Sequence, residues 1–177
     1  MLVKPEATAH LDMLIDGYLP ECNYVNAHAV DINTSPARVW DTLPNVLASV
    51  FTSPVSRIPL TLAALVRLER PRTGPARRSP VLKEGELVGP FRVAQIDEGT
   101  EVAFTGSHRY STYVANLYLE PLADERTRLY MVTRANFPGL VSRLYFVAVR
   151  LFHDPLVEGA LRRAKHQIEA VSRPLTL

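Results

Sequence analysis

The sequence predicts an α+β fold in which a curved antiparallel β-sheet wraps around a long C-terminal α-helix, with two short helices after the first strand. Three patterns lead to this prediction. An alternating segment occupies residues 21–33, further alternating segments fill 91–135, and helical periodicity runs through 140–171. An amphipathic helix that follows several strands needs a sheet to pack on, and that sheet needs a cover. We expect a single domain over residues 1–177, with 1–20 as an N-terminal extension.

Composition narrows the class of protein. Of the 177 residues, 47% are hydrophobic and 21% are charged, as in an ordinary globular domain. The 20 basic and 18 acidic residues give a net charge of +2, too small to indicate nucleic-acid binding. A single cysteine, Cys22, excludes an internal disulfide. No secretory signal is evident, and the most apolar stretch, 58–68, is too short to span a bilayer. We therefore expect a soluble cytoplasmic protein without a transmembrane segment.

The first strand and the helices after it are marked by a change of period. One face of the strand should carry Asn26, His28, Val30 and Ile32. The Thr-Ser-Pro sequence at 34–36 supplies a helix cap and a proline suited to the first turn, and we expect Pro44 to end that helix. A second helical region, 46–70, is interrupted by prolines, and the Arg-rich segment 70–80 is interpreted as a solvated loop.

The main part of the predicted sheet consists of alternating segments at hairpin spacing, which makes neighbouring strands antiparallel. These segments are 91–96, 102–110, 112–119 and 128–135. Pro138 ends the sheet. Asp154 and Pro155 have the chemistry of a helix cap and a first helical residue, so the C-terminal helix is predicted to break or bend there. Leu140–Phe152 should lie near the mouth of any cavity and Leu156–Val171 along the sheet, and the stripe facing the sheet should be Val157, Leu161, Ala164 and Ile168.

Three local segments resemble a known superfamily. Segment 28–43, His-Ala-Val-Asp-Ile-Asn-Thr-Ser-Pro-Ala-Arg-Val-Trp-Asp-Thr-Leu, is similar to the opening strand, small-Pro turn and Val-Trp helix of the START-like (SRPBCC) superfamily. Segments 106–113, Gly-Ser-His-Arg-Tyr-Ser-Thr-Tyr, and 133–139, Thr-Arg-Ala-Asn-Phe-Pro-Gly, resemble an uncharacterised bacterial branch of it. The superfamily includes Bet v 1-like allergens, polyketide cyclases and lipid-transfer domains. The resemblance covers residues 22–172 and implies the helix-grip fold, with a cavity between the concave sheet face and the C-terminal helix.

If the apolar strand faces point into that cavity, the alternation nominates its lining, although a one-residue slip or a bulge would reverse the assignment. The predicted ligand-binding residues are His28, His108, Tyr110, Tyr113, Met131 and Thr133 from the strands and Tyr145 and Phe152 from the helix. By the same alternation, Arg109 and Arg134 point away from the cavity.

The two predicted cavity histidines could be core residues, ligand contacts or acid–base groups. Lying on different strands without a third ligand nearby, they fall short of a metal site. No glycine-rich phosphate loop is present among the 8 glycines. We therefore predict no metal and no cofactor, and no catalytic residue is assigned.

Three functions are consistent with these patterns, since one fold of this kind hosts several activities. The first is the binding or transport of a small hydrophobic molecule, such as a lipid or a polyketide, in the cavity. The second is a cyclase, aromatase or dehydratase that uses a cavity histidine and tyrosine for acid–base chemistry. The third is a structural or protein-binding module with a filled cavity. Whether the protein is an enzyme, and whether it is a homodimer, stays open at this point.

Overall fold

The computed structural model describes residues 19, 21–52, 81–88 and 91–172. Its strands are β1 (Tyr24–Ile32), β2 (Leu87–Val88), β3 (Phe91–Asp97), β4 (Glu101–His108), β5 (Ser111–Leu122) and β6 (Arg126–Asn136), and its helices are α1 (Pro36–Thr52) and α2 (Gly139–Ser172). This order of elements is the predicted α+β order, so the fold class is confirmed.

The six strands form one antiparallel sheet with the order β1-β6-β5-β4-β3-β2. The first strand therefore pairs with the last one, and the remaining strands follow as hairpins. His28 on β1 lies opposite Met131 on β6, and Met131 lies opposite Leu117 on β5. Because opposite residues in an antiparallel pair project from the same face, this register places all three side chains on one side of the sheet. That side is the concave face, which the helices cover.

The main hydrophobic core lies between this concave face and the two helices. Ile32, Leu129 and Ile168 are fully buried there, with at most 1% of each side chain exposed. The stripe predicted to face the sheet from α2, formed by Val157, Leu161, Ala164 and Ile168, is buried in the same core and is thus confirmed. Burial of each large aliphatic side chain contributes about 1.5–3 kcal/mol to folding.

The opposite, convex face carries a smaller apolar cluster. Leu19, Val114 and Val132 are buried together, with Cys22 packed against them. Most of the predicted N-terminal extension, residues 1–18 and 20, lies outside the described residues. Arg134 is also buried on this face, as its alternation predicted, and burial holds the pKa of its guanidinium below its usual range.

The helix after the first strand does not end where the sequence predicted. Pro44 lies inside α1, which is a single helix of 17 residues, so the predicted stop at this proline is wrong. A proline inside a helix removes one backbone hydrogen bond. Burial of Leu43, Val46 and Leu47 in the core compensates for it, because these neighbours keep the helix on the sheet. The rest of the predicted second helical region, 53–70, and the Arg-rich segment 70–80 lie outside the described residues.

The sequence predicted a break or a bend of the C-terminal helix at Asp154 and Pro155, and the break is wrong. α2 is one helix of 34 residues, and Pro155 lies in its interior. The side chain of Asp154, which was expected to cap a new helix, instead accepts hydrogen bonds from β1. These bonds, together with the buried stripe that starts at Val157, attach the helix to the body on both sides of the proline. They compensate for the backbone bond that the proline cannot make.

Candidate functional site

The burial of the concave face changes along the strands, and this change defines the candidate site. At one end, Ile32, Leu119 and Leu129 are almost completely inaccessible to solvent, at 0–2% exposure. In the middle of the strands, His28 and Met131 are only partly buried, whereas Thr133 and Ala135, beyond Met131 on the same face of β6, are buried at 8% and 3% exposure. The backbone of α2 approaches β1 and α1 closely but stays farther from the middle strands. Among the described elements, α2 therefore faces β6, β5 and β4 across a layer of side chains, without close approach of the backbones.

The side chains that bound this space form what we call the concave patch, defined by His28, Tyr113, Met131, Thr133 and Tyr145. The register of β1, β6 and β5 puts the first four on the same face of the sheet. Tyr145 reaches them from α2, close enough for its phenol to affect the pKa of Tyr113. Most of the patch is apolar or aromatic, with polar groups at a few positions.

Tyr113 owes its position to a glycine on the neighbouring strand. Gly106 lies directly opposite Tyr113, and the tyrosine ring covers the place where a side chain at position 106 would be. The ring of Phe91 packs edge-on against Tyr113 with 5.5 Å between centroids. Burial, with a smaller contribution from Tyr145, raises the pKa of Tyr113 to about 12. The phenol is therefore protonated at neutral pH and able to donate a hydrogen bond.

A second pair of aromatic rings connects the β4–β5 hairpin to α2. Tyr110 stacks on Tyr145 with 5.4 Å between ring centroids. The guanidinium of Arg109 lies 5.6 Å from the centroid of the Tyr110 ring, and the residue is exposed. Burial raises the pKa of Tyr145. These contacts hold the exposed end of the sheet against the helix.

Beside the concave patch, a polar network joins β1 to the middle of α2. One carboxylate oxygen, Oδ1 of Asp154, accepts hydrogen bonds from the Asn26 amide at 2.7 Å and from the Tyr24 hydroxyl at 3.1 Å. His153 Nδ1 lies 3.2 Å from the same oxygen, and Arg150 Nε lies 3.8 Å from Oδ2. Burial raises the pKa of Asp154, but the bonds from His153 and Tyr24 and the charge of His153 outweigh it, so the pKa lies below its usual value.

His28 is attached to this network through Asn26. The Asn26 amide Nδ2, which donates to Asp154, also lies 2.9 Å from His28 Nε2. An amide nitrogen can only donate, so Nε2 acts as the acceptor and the neutral ring carries its proton on Nδ1. That nitrogen faces the Glu158 carboxylate at 3.7 Å. The structure thus places a carboxylate of α2, Glu158, next to His28, whereas Asp31, the nearest carboxylate in the sequence, lies on the other face of the strand.

An aromatic group packs against the network on its outer side. The ring of Phe146 lies 4.5 Å from that of Tyr24 and 4.6 Å from that of Phe137, centroid to centroid. Desolvation in this setting is the main reason why the pKa of Tyr24 rises to about 12. The Tyr24 hydroxyl therefore stays protonated and acts as a donor toward Asp154 at neutral pH.

The structure places six of the eight predicted lining residues in or beside the concave patch. His28, Tyr113, Met131, Thr133 and Tyr145 belong to the patch, and Tyr110 stacks against its edge. The side chains of His108 and Phe152 lie outside the described part of the chain. Their assignment as ligand contacts, like that of the other six, stays a prediction.

Sequence reasoning missed four residues of the polar network, namely Tyr24, Asn26, Asp154 and Glu158. A signal for them was present. Asn26 and Tyr24 alternate onto the face of His28, and Asp154 and Glu158 are four residues apart, which puts both carboxylates on one side of a helix. The predicted helix break at Asp154 hid that spacing. Within the described residues, no group of three or more His, Cys, Asp or Glu side chains could hold a metal ion.

Solved structures with this architecture identify the class of fold. TTHA0849 from Thermus thermophilus is 14% identical, with a TM-score of 0.52, 85% of this chain and 100% of that chain being covered. Ms6760 from Mycobacterium smegmatis is 13% identical, with a TM-score of 0.51 and coverages of 86% and 93%. The Zhui aromatase/cyclase from Streptomyces sp. R1128 is 15% identical, with a TM-score of 0.50 and coverages of 86% and 98%. The protein therefore shares the fold of these structures, the helix-grip fold that the resemblance implied.

Within that class, the chain belongs to the family described as "Protein of unknown function (DUF2867)", which matches residues 18–160. None of the curated proteins matches the sequence significantly. None of the described helices is both long and apolar enough to cross a membrane.

Proposed function

We propose that the protein binds and carries a small hydrophobic molecule in the space between the concave face of the sheet and α2. The observation that carries this proposal is the partial exposure of Met131 between two buried residues of the same strand and face, Leu129 at 1% exposure and Thr133 at 8%. A fully packed core would bury all three, because protein interiors tolerate few voids.

The chemistry of the concave patch supports a ligand that is mostly apolar and has one or two hydrogen-bonding groups. Binding sites for such molecules are lined by apolar and aromatic side chains with a few polar groups that fix orientation. Met131 supplies apolar surface, and the protonated phenol of Tyr113 supplies a donor for a ligand oxygen. His28, with 16% of its side chain exposed, can add a second polar contact.

A binding experiment with a matched control tests this proposal. Native mass spectrometry of the protein purified from its own host should reveal a co-purified hydrophobic molecule. A fluorescent fatty acid should bind the purified protein and should bind at least about tenfold more weakly to Met131→Trp, because the indole fills the space. Val25→Trp is the control, since Val25 lies on the other face of the neighbouring strand and is 51% exposed. Absence of any bound molecule, together with equal probe binding by wild type and Met131→Trp, would refute the proposal.

A second candidate function, acid–base catalysis on a polyketide-like substrate, rests on the environment of His28. Its Nδ1 faces Glu158, and its Nε2 is an acceptor, as in a general base. We rank this function second because the Asn26 amide already occupies Nε2, so proton transfer would require that bond to open. The two functions are distinguished by His28→Ala and His108→Ala. If these variants keep ligand affinity but lose turnover of a candidate polyketide, the protein is an enzyme and not a carrier.

A further inference from the structure

The first half of α2 exposes a continuous set of large apolar side chains. Leu140 is 73% exposed, Val141 63%, Leu144 63% and Val147 64%. Steps of one, three and four residues place all four on one side of an α-helix. Ser142, only 4% exposed, faces the body of the protein instead. We call these four exposed residues the apolar ridge.

The second half of the same helix differs from the ridge, because it buries its apolar stripe in the main hydrophobic core. Leu161 and Ile168 are 5% and 0% exposed. Scattered apolar residues on a surface need no explanation, whereas a contiguous group of them marks an interaction site. Four neighbouring apolar side chains on two turns of a helix form such a group.

The charges around the ridge indicate what kind of partner fits it. Arg143 and Arg150 lie on the same half of α2, and both are exposed. No Asp or Glu occurs anywhere from residue 127 to residue 153. Arg150 lies 3.8 Å from the Asp154 carboxylate, whereas Arg143 has no acidic residue within four positions along the helix. A helix with an apolar side and basic borders is typical of contact with an anionic membrane surface.

A second copy of the chain fits the ridge less well. In a symmetric dimer the same patch of both subunits meets itself. When the two helices run antiparallel, the sides that carry Arg143 and Arg150 lie next to each other, and like charges at an interface are unfavourable. A bilayer with anionic headgroups instead offers opposite charge to the arginines and an acyl boundary to the ridge.

We propose that the apolar ridge and its flanking arginines dock the protein onto the surface of an anionic lipid bilayer. The first half of α2 lies parallel to the surface, with Leu140, Leu144 and Val147 in the headgroup–acyl boundary and Arg143 among the phosphates. The contact is peripheral. It goes beyond ligand binding and does not depend on it, because none of the ridge residues belongs to the concave patch.

Vesicle cosedimentation with the full chain tests the docking. Wild-type protein should bind vesicles of equal parts phosphatidylcholine and phosphatidylglycerol, and binding to pure phosphatidylcholine should be much weaker. About 1 M sodium chloride, where the Debye length is only about 3 Å, should also weaken binding to the anionic vesicles. Leu144→Glu should bind at least about tenfold more weakly, because it replaces a membrane-inserted apolar side chain by a charge. Arg143→Ala should cost about fivefold, the contribution of one basic residue near such a surface.

Two control variants share the chemistry of the test variants but lie elsewhere. Val171→Glu changes an apolar residue that is 73% exposed at the other end of α2. Arg126→Ala removes a positive charge at the start of β6, whereas α2 begins just after the end of that strand. Both should bind like the wild type. We expect equal unfolding midpoints in urea for Leu144→Glu and wild type, because position 144 is exposed. This equality would show that the weaker vesicle binding is not caused by misfolding.

Two results would overturn the docking proposal. The first is a cosedimentation experiment in which the wild-type protein does not bind anionic vesicles, or in which Leu144→Glu binds them as well as the wild type does. The second is a dimer in light scattering that Leu144→Glu converts to a monomer, in the absence of vesicle binding. The ridge would then be an interface between copies of this chain.

Discussion

The hydroxyl of Tyr24, on the first strand, donates a hydrogen bond to Asp154, in the last helix, over a distance of 3.1 Å and across 130 positions of sequence. Asn26 donates to the same carboxylate oxygen at 2.7 Å. These bonds attach β1 to α2 one residue before Pro155, where a proline would otherwise weaken the helix. The same network leads through Asn26 to His28 and the concave patch.

The energetic coupling between Tyr24 and Asp154 can be measured by a double-mutant cycle. Tyr24→Phe should lower the free energy of unfolding by roughly 1.5 kcal/mol, because it removes a hydrogen bond to a charged group. In the Asp154→Asn background the same change should cost about 1 kcal/mol less. Urea unfolding of the four proteins provides the measurement. Tyr130→Phe, which removes a bond to Glu120 on the convex face, is the control and should be additive with Asp154→Asn.

The acid limit of stability should depend on three carboxyl groups whose pKa values are lowered in the folded protein. The hydrogen bond from Arg128 is the main cause at Asp31. At Asp154 and Glu169 burial acts in the opposite direction, but hydrogen bonds from His153 and Tyr24, and from Asn33 and Lys165, outweigh it.

A lowered pKa adds stability above the unfolded-state value, and this stability is lost as the pH falls through the folded-state value. The urea midpoint should therefore hold above the ordinary values of 4.5 for Glu169 and 3.8 for Asp31 and Asp154, and it should fall steeply below them. As the pH falls below these values, the urea midpoint of Asp154→Asn should decline less than that of the wild type, because one of the three carboxyl groups is absent. A decline of identical steepness in wild type and Asp154→Asn would contradict the role of this carboxylate.

The close approach of Gly106 and Tyr113 predicts a position-specific effect of a single methyl group. Gly106→Ala should lower the free energy of unfolding by about 1–3 kcal/mol, because its side chain would overlap the Tyr113 ring. Tyr113→Ala in the same protein should remove most of that extra cost. Gly159→Ala is the matched control, since the nearest atom is 3.8 Å away and the position is helical. It should stabilise the protein by about 0.5–1 kcal/mol.

The register of α2 on the sheet can be tested with two residues of similar chemistry. Ile168 is 0% exposed, and Ile168→Ala should cost about 2–5 kcal/mol. Val171, three residues later, is 73% exposed, and Val171→Ala should change the stability by less than about 0.5 kcal/mol. Thermal unfolding of both variants provides the measurement. Comparable losses in the two would mean that the helix is rotated relative to the orientation described.

Local periodicity was enough to predict several parts of this fold. The alternation of β1 put Asn26, His28 and Ile32 on one face, and the structure has them there, because successive side chains of a strand must point to opposite sides. The buried stripe of α2 from Val157 to Ile168 was predictable for the same kind of reason. These features depend on backbone geometry that neighbouring residues determine.

Other features depended on contacts between distant residues. Pro44 and Pro155 looked like helix ends, yet both helices continue, because packing on the sheet outweighs one missing backbone bond. The partners of Asp154 lie 128 and 130 residues away, so no local pattern could reveal them. The two halves of α2 have the same apolar periodicity, but the core covers only the second. Which apolar residues are buried and which form the ridge follows from where the sheet ends, and only the three-dimensional arrangement specifies that position.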